Sequence, residues 1–154
     1  MIFKMNVRIK ICGMTNPEDA LFCAAAGADA LGFIFYPLSP RYVLPSIASD
    51  IIAALPPFIT PVGVFVNESK QFIEQIIRQT GIRAIQFSGD EEPEDCSGYT
   101  LPVIKSFRIR SMSDVGRIHQ YAISAAMLDG AKDGRYGGSG TLPDFSIAKE
   151  MKQV

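Results

Sequence analysis

The sequence predicts a parallel α/β fold of about six strand–helix units, and two observations carry that prediction. Short β-branched runs alternate with longer helix-patterned segments along the 154 residues, and only parallel strands need a helix-length crossover each time. The unit length is about 25 residues, which is the repeat of a (β/α)8 barrel. Eight such units need at least about 200 residues, and six use about 150. The pattern therefore fits either a six-stranded open sheet or a barrel short of its last two units. No linker or low-complexity segment interrupts it, so residues 1–154 read as a single domain.

Val7 to Ile11 reads as the first strand. Asn16-Pro17-Glu18 opens a helix through Ala26, closed by Gly27. Thr15 or Asn16 supplies the cap, and Glu18 stands three residues after Thr15 as a capping box requires. A strand from Ala30 to Tyr36 and a helix from about Pro45 to Leu55 follow. Next come a strand from Pro61 to Val66 and a helix from Ser69 to Thr80, where Phe72, Ile73, Ile76 and Ile77 recur at helical spacing. The pattern continues with strand Ala84 to Phe87, a short helix around Glu92 to Cys96, and strand Pro102 to Phe107. A helix from about Ser113 to Tyr121, strand Ala125 to Leu128, a glycine-rich loop and a helix over Asp144 to Lys152 complete it.

With 47% hydrophobic and 20% charged residues, the chain is neither a disordered tail nor a disulfide-dense scaffold. A formal charge of −1 argues against a nucleic-acid or anionic-membrane footprint and leaves small molecules as partners. Cys12, Cys23 and Cys96 are too few and too irregularly spaced for a disulfide framework or a CxxC metal site. His119 is the one histidine. Lys4, Arg8 and Lys10 break up any export-signal core, and no stretch reaches the roughly 18 apolar residues of a membrane span. The expected location is the cytoplasm.

Parallel strands buried on both faces read as continuous apolar runs, so polar residues within or just past them are informative. Lys10 and Cys12 share one face of the first strand, and Asn67, Gln86, Lys105 and Asp129 come at the ends of later ones. That edge is where ligands bind in barrels and open sheets alike, and Cys12, Gln86, Lys105 and Asp129 together would make an acid–base site. Each has a plainer role open to it. Cys12 can be a small core hydrophobe, Asp129 a turn cap, and Lys10 and Lys105 partners of carboxylates that hold the sheet. Cys23 and Cys96 read as helix packing residues, and His119 as a surface or core residue on a helix. Arg41, in the proline-stiffened Pro37-Leu-Ser-Pro-Arg41-Tyr42 loop, is either a carboxylate clamp or an ordinary surface arginine. Arg135-Tyr-Gly-Gly-Ser-Gly140 either brings backbone N–H groups close to an anion or forms a lid.

Taken together, several stretches resemble the phosphoribosylanthranilate isomerase family. They are Lys10-Ile-Cys-Gly-Met-Thr15, Gly27-Ala-Asp-Ala-Leu-Gly-Phe-Ile-Phe-Tyr36, Ser39-Pro-Arg-Tyr42, Leu55-Pro-Pro-Phe58, Val62-Gly-Val-Phe-Val-Asn67 and Gly137-Gly-Ser-Gly140. The resemblance is collinear from about Val7 to Phe145. It implies a (β/α)8 fold with about six βα units in this chain. It also implies an Amadori rearrangement of N-(5-phosphoribosyl)anthranilate to an aminoketose, in tryptophan biosynthesis, with no cofactor or metal. On this resemblance Cys12 is the general base at the sugar C2 proton, and Asp129 is the general acid at the furanose ring oxygen. Arg41 holds the anthranilate carboxylate. Lys10, Gln86, Gly137, Gly138 and Gly140 complete the expected substrate-binding set. A thiolate needs a nearby cation, which Lys10 or Arg41 would supply. A proton-donating carboxyl needs a partly dry barrel mouth.

Three departures accompany the resemblance. The family's Gln-Leu-His-Gly reads Gln86-Phe87-Ser88-Gly89 here, and the loop after Gly140 runs Thr141-Leu-Pro-Asp-Phe145 where lysine and Phe-Asp-Trp are usual. The family's last two βα units, with their phosphate-binding turns, have no counterpart. An unclosed sheet exposes two edges, so a homo-oligomer or a complementing chain is an expected partner. The alternative reading is a non-catalytic remnant that keeps the base and acid without a phosphate site. A different phosphosugar isomerase is a third.

Overall fold

The computed structural model describes residues 7–109 and 112–129, and it divides the chain into two compact units. The predicted glycine cluster, with Gly137, Gly138 and Gly140, lies outside the described residues. So do Thr141, Phe145 and the helix over Asp144 to Lys152.

The first unit, described over residues 7–64 and 71–83, holds β1 (Lys10–Cys12), α1 (Pro17–Ala25), β2 (Ala30–Ile34) and α2 (Pro45–Ala53). It also holds most of β3 (Thr60–Phe65) and of α3 (Lys70–Thr80). β1 pairs parallel with β2, in register Lys10↔Ala30 and Cys12↔Gly32, and β2 pairs parallel with β3. β2 and β3 are buried almost throughout, with Leu31, Phe33 and Val62 in the core. That is the two-sided burial parallel strands impose. Ile73 and Ile76 are fully buried on α3, the face its sequence period marks.

Two local expectations are corrected here. β1 is shorter than Val7 to Ile11, because the Ile9 N–H donates to the Asp29 carboxylate (2.8 Å) and Val7 is 79% exposed. Accepting that N–H, together with a bond from Arg8, holds the Asp29 carboxyl below the ordinary carboxylate range. The cap of α1 is Asn16, one of the two residues expected there, whose Oδ1 accepts from the Asp19 N–H at 2.8 Å; it is the capping box that differs. Asn16 Nδ2 also donates to Asp19 Oδ2 at 2.7 Å, so the reciprocal pair is Asn16 and Asp19 rather than Thr15 and Glu18.

The second unit comprises, of the described residues, 65–70, 84–109 and 112–129. It contains β4 (Ala84–Phe87), β5 (Val103–Arg108), α4 (Met112–Ile118) and β6 (Ala125–Asp129). β4 pairs parallel with β5, and β5 with β6, ending at Phe107↔Leu128 and Arg108↔Asp129. Val115 and Ile118 of α4 pack with Phe107, Ile109 and Leu128.

The short helix expected over Glu92 to Cys96 is absent. A turn occupies this stretch, with Asp95 N–H donating to Glu92 O (3.1 Å) and Ser97 N–H to Glu94 O (3.2 Å). The Asp95 carboxylate takes the Glu92 N–H at 3.0 Å, and Pro93 and Gly98 bracket the turn. Cys96 is buried in this turn rather than on a helix, and His119 is exposed one residue past α4.

Candidate functional site

In the first unit three of the expected residues come together. Cys12 ends β1 opposite Gly32. A Cβ built on Gly32 would stand 2.6 Å from Cys12 Sγ and 3.0 Å from Lys10 Nζ. The missing side chain is therefore what makes room for the thiol, and the thiol and the ammonium share one small space over it. A glycine inside a strand signals such close approach, yet in the sequence Gly32 passes as part of an apolar run. Lys10 has no carboxylate partner among the described residues, contrary to the pairing expected of it. Arg41 reaches the same place: its Nη1 donates to the Cys12 carbonyl at 2.6 Å, and its side chain lies against Gly13. Two cations thus stand at the C-terminal end of β1, one beside the thiol and one on the backbone of the residue that carries it.

In the second unit Gln86 is the next-to-last residue of β4 and Asp129 the last of β6. Gln86 is buried. Its Nε2 donates to Ser88 Oγ at 2.9 Å, while its Oε1 has no hydrogen-bond partner among the described residues. Asp129 stands in register with Arg108, and Arg108 pairs with Asp90.

Lys105 does not stand at the strand end. β5 continues to Arg108 because its pairing with β6 continues that far. The Lys105 ammonium is spent on structure, donating to Glu91 Oε2 (3.0 Å), Gly89 O (2.9 Å) and Ser106 O (3.1 Å). The carboxylate pairing foreseen for it is present, with Glu91 as the partner. Glu91 Oε1 also accepts from Asn67 N–H at 2.8 Å, and both of its oxygens accept from Gly89 N–H. Neither side chain of the pair is more than 4% exposed. Glu91, Asp90 and Arg108 escape a reading of the sequence: Glu91 is one carboxylate among several, and Arg108 falls outside a strand taken to end at Phe107.

Burial pushes the Cys96 thiol up to about 12, whereas Cys12 and Cys23 are half-buried. Only about one Cys96 thiol in ten thousand is ionised at pH 8, and the thiolate is the reactive form. Alkylation of the native protein at that pH is expected to spare Cys96 until denaturant is added. Peptide mapping by mass spectrometry checks this, and equal labelling of Cys23 and Cys96 contradicts it. Among the described residues no three His, Cys, Asp or Glu gather as a metal site, and no helix is long and apolar enough to cross a membrane.

Six parallel strands, most of them joined by helical crossovers, with polar side chains at strand ends, suit the (β/α)8 class of barrel. The model of the N-(5'-phosphoribosyl)anthranilate (PRA) isomerase family matches residues 9–154. An N-(5'-phosphoribosyl)anthranilate isomerase of Trichlorobacter lovleyi is 44% identical over 144 residues, covering 94% of this chain and 70% of that protein. The crystal structure of phosphoribosyl anthranilate isomerase from Thermotoga maritima matches with a TM-score of 0.87 at 41% identity. It covers 96% of this chain and 73% of that one. A PRA isomerase solved in complex with reduced 1-(o-carboxyphenylamino)-1-deoxyribulose 5-phosphate has a TM-score of 0.77 and 42% identity, over 82% of this chain and 66% of that one. This chain belongs to the PRA isomerase family.

Proposed function

We propose that the chain isomerises N-(5'-phosphoribosyl)anthranilate to 1-(2-carboxyphenylamino)-1-deoxyribulose 5-phosphate, a step of tryptophan biosynthesis in the cytoplasm. The observation that carries this reading is family membership across residues 9–154 with a thiol and a carboxylate at the C-terminal ends of β1 and β6.

Asp129 donates a proton to the furanose ring oxygen, and the anilino nitrogen lone pair opens the ring to an iminium. Cys12, as thiolate, removes the C2 proton. The resulting enolamine takes a proton at C1 and loses one from the C2 hydroxyl, giving the aminoketose. Lys10 Nζ shares the space over Gly32 with Cys12 Sγ, which places it within reach of the substrate atoms at that thiol. Arg41 receives the anthranilate carboxylate through the guanidinium edge left free by its bond to the Cys12 carbonyl. Gln86, with its unpartnered buried Oε1, accepts from a substrate hydroxyl. Gly137, Gly138 and Gly140, within the stretch matched to the family, complete the substrate-binding set.

The test is turnover of freshly generated PRA by this chain, followed as the decay of its anthranilate-type fluorescence. Turnover supports the reading; a folded chain without turnover supports the non-catalytic alternative. Arg41→Ala removes a charge-assisted hydrogen bond, worth about 1.5–3 kcal/mol. It is expected to raise KM roughly tenfold to hundredfold with kcat little changed. An unchanged KM removes Arg41 from the site.

A further inference from the structure

We infer that Glu91 is a positioning residue for the isomerisation, acting with Lys105 to hold the loop after β4 in the one arrangement that supports the general acid. This rests on the isomerase reading above. Three observations carry it. The pair is buried on both sides, with side-chain exposures of 4% for Lys105 and 2% for Glu91. Its hydrogen bonds are spread over three separate pieces of backbone. Glu91 takes the N–H of Asn67 and of Gly89, while Lys105 donates to the carbonyls of Gly89 and Ser106. The loop it grips is then pressed close. A Cβ on Gly89 would run into Asn67 Oδ1 and Glu91 Oε1, so any larger residue there would displace the side chains that hold the loop.

The gripped loop leads directly to the acid. Asp90, between Gly89 and Glu91, has its N–H on Asn67 Oδ1 at 2.7 Å and its carboxylate on Arg108. Arg108 ends β5 in register with Asp129. Register partners in a parallel ladder present their side chains on the same face of the sheet. Arg108 and Asp129 therefore leave the same face of the sheet, and Glu91 with Lys105 fixes the loop whose Asp90 carboxylate holds Arg108. A buried, fully bonded pair is suited to this because few alternative arrangements satisfy all its donors and acceptors.

The experiment uses Glu91→Gln and the double variant Glu91→Gln/Lys105→Met, which removes the buried charges together. PRA turnover, circular dichroism and thermal melting are measured on both and on wild type. The expected result is a kcat at least tenfold lower in a variant that keeps its native spectrum and a cooperative melt, with KM within threefold of wild type. A purely structural pair would let kcat return once the fold is retained. Folded variants with kcat within twofold of wild type overturn the inference. So does a rise in KM alone, and so does failure of both variants to fold, which assigns the pair to stability. The parent reading fails in a different way, by absence of turnover in the wild-type chain, and the inference falls with it.

Discussion

Cys12→Ser is expected to lower kcat/KM by about 10²- to 10⁴-fold, the range a positioned general base or acid contributes, and Asp129→Asn by a similar factor. Serine nearly matches cysteine in size, so it occupies the space over Gly32 without disturbing the β1–β2 pairing. Its hydroxyl is a far weaker base precursor than a thiol, so the C2 proton has no comparable acceptor. Asparagine likewise keeps the shape of Asp129 at the end of β6 but has no carboxyl proton to give. Both variants should melt within a few degrees of wild type, which separates chemistry from folding. The measurement is fluorescence decay of PRA under the same conditions for all three proteins. Wild-type rates in either variant would remove that residue from the mechanism.

Much of the frame was legible because parallel sheets leave a plain mark. β2 and β3 are apolar on both faces, and α3 carries Ile73 and Ile76 at helical spacing. The ends of elements were less legible, because they are set by side chains that bond to backbone. Asp29 takes the Ile9 N–H and shortens β1. Among the candidate residues, Cys12 and Asp129 stood out as polar residues at strand ends. Lys105 stood out too, but as a charge that needed a partner, and five acidic residues lie between positions 90 and 95. Nothing local marks which carboxylate turns inward. The choice of Glu91 depends on Asn67 and Gly89 presenting N–H groups to it, a tertiary arrangement that spacing does not encode. Gly32 shows the same limit, since its role is defined by Cys12, twenty residues earlier and on another strand.

Glu91→Leu is expected to destabilise the fold by about 3–5 kcal/mol, the cost of leaving one member of a buried ion pair uncompensated. At the roughly 2–4 °C per kcal/mol of a domain this size, that is a fall in Tm of about 6–20 °C. The Lys105 ammonium would keep its bonds to Gly89 O and Ser106 O but would remain charged in a space built for a carboxylate. The N–H groups of Asn67 and Gly89 would lose their acceptor at the same time, and an orphaned buried donor costs more than its hydrogen bond contributed. Exposed pairs in the same unit offer a contrast. Arg117 and Glu92 stand 4.0 Å apart with side chains more than 60% exposed, and water screens such a pair, so Glu92→Leu should leave Tm nearly unchanged. The double variant Glu91→Leu/Lys105→Met separates charge from packing. It removes both ions and fills their place with apolar volume, so it should recover most of the lost stability. Urea unfolding of the three variants measures this. A single variant as stable as wild type would mean that Lys105 finds another anion or water when Glu91 is gone, and the loop would then need a different anchor.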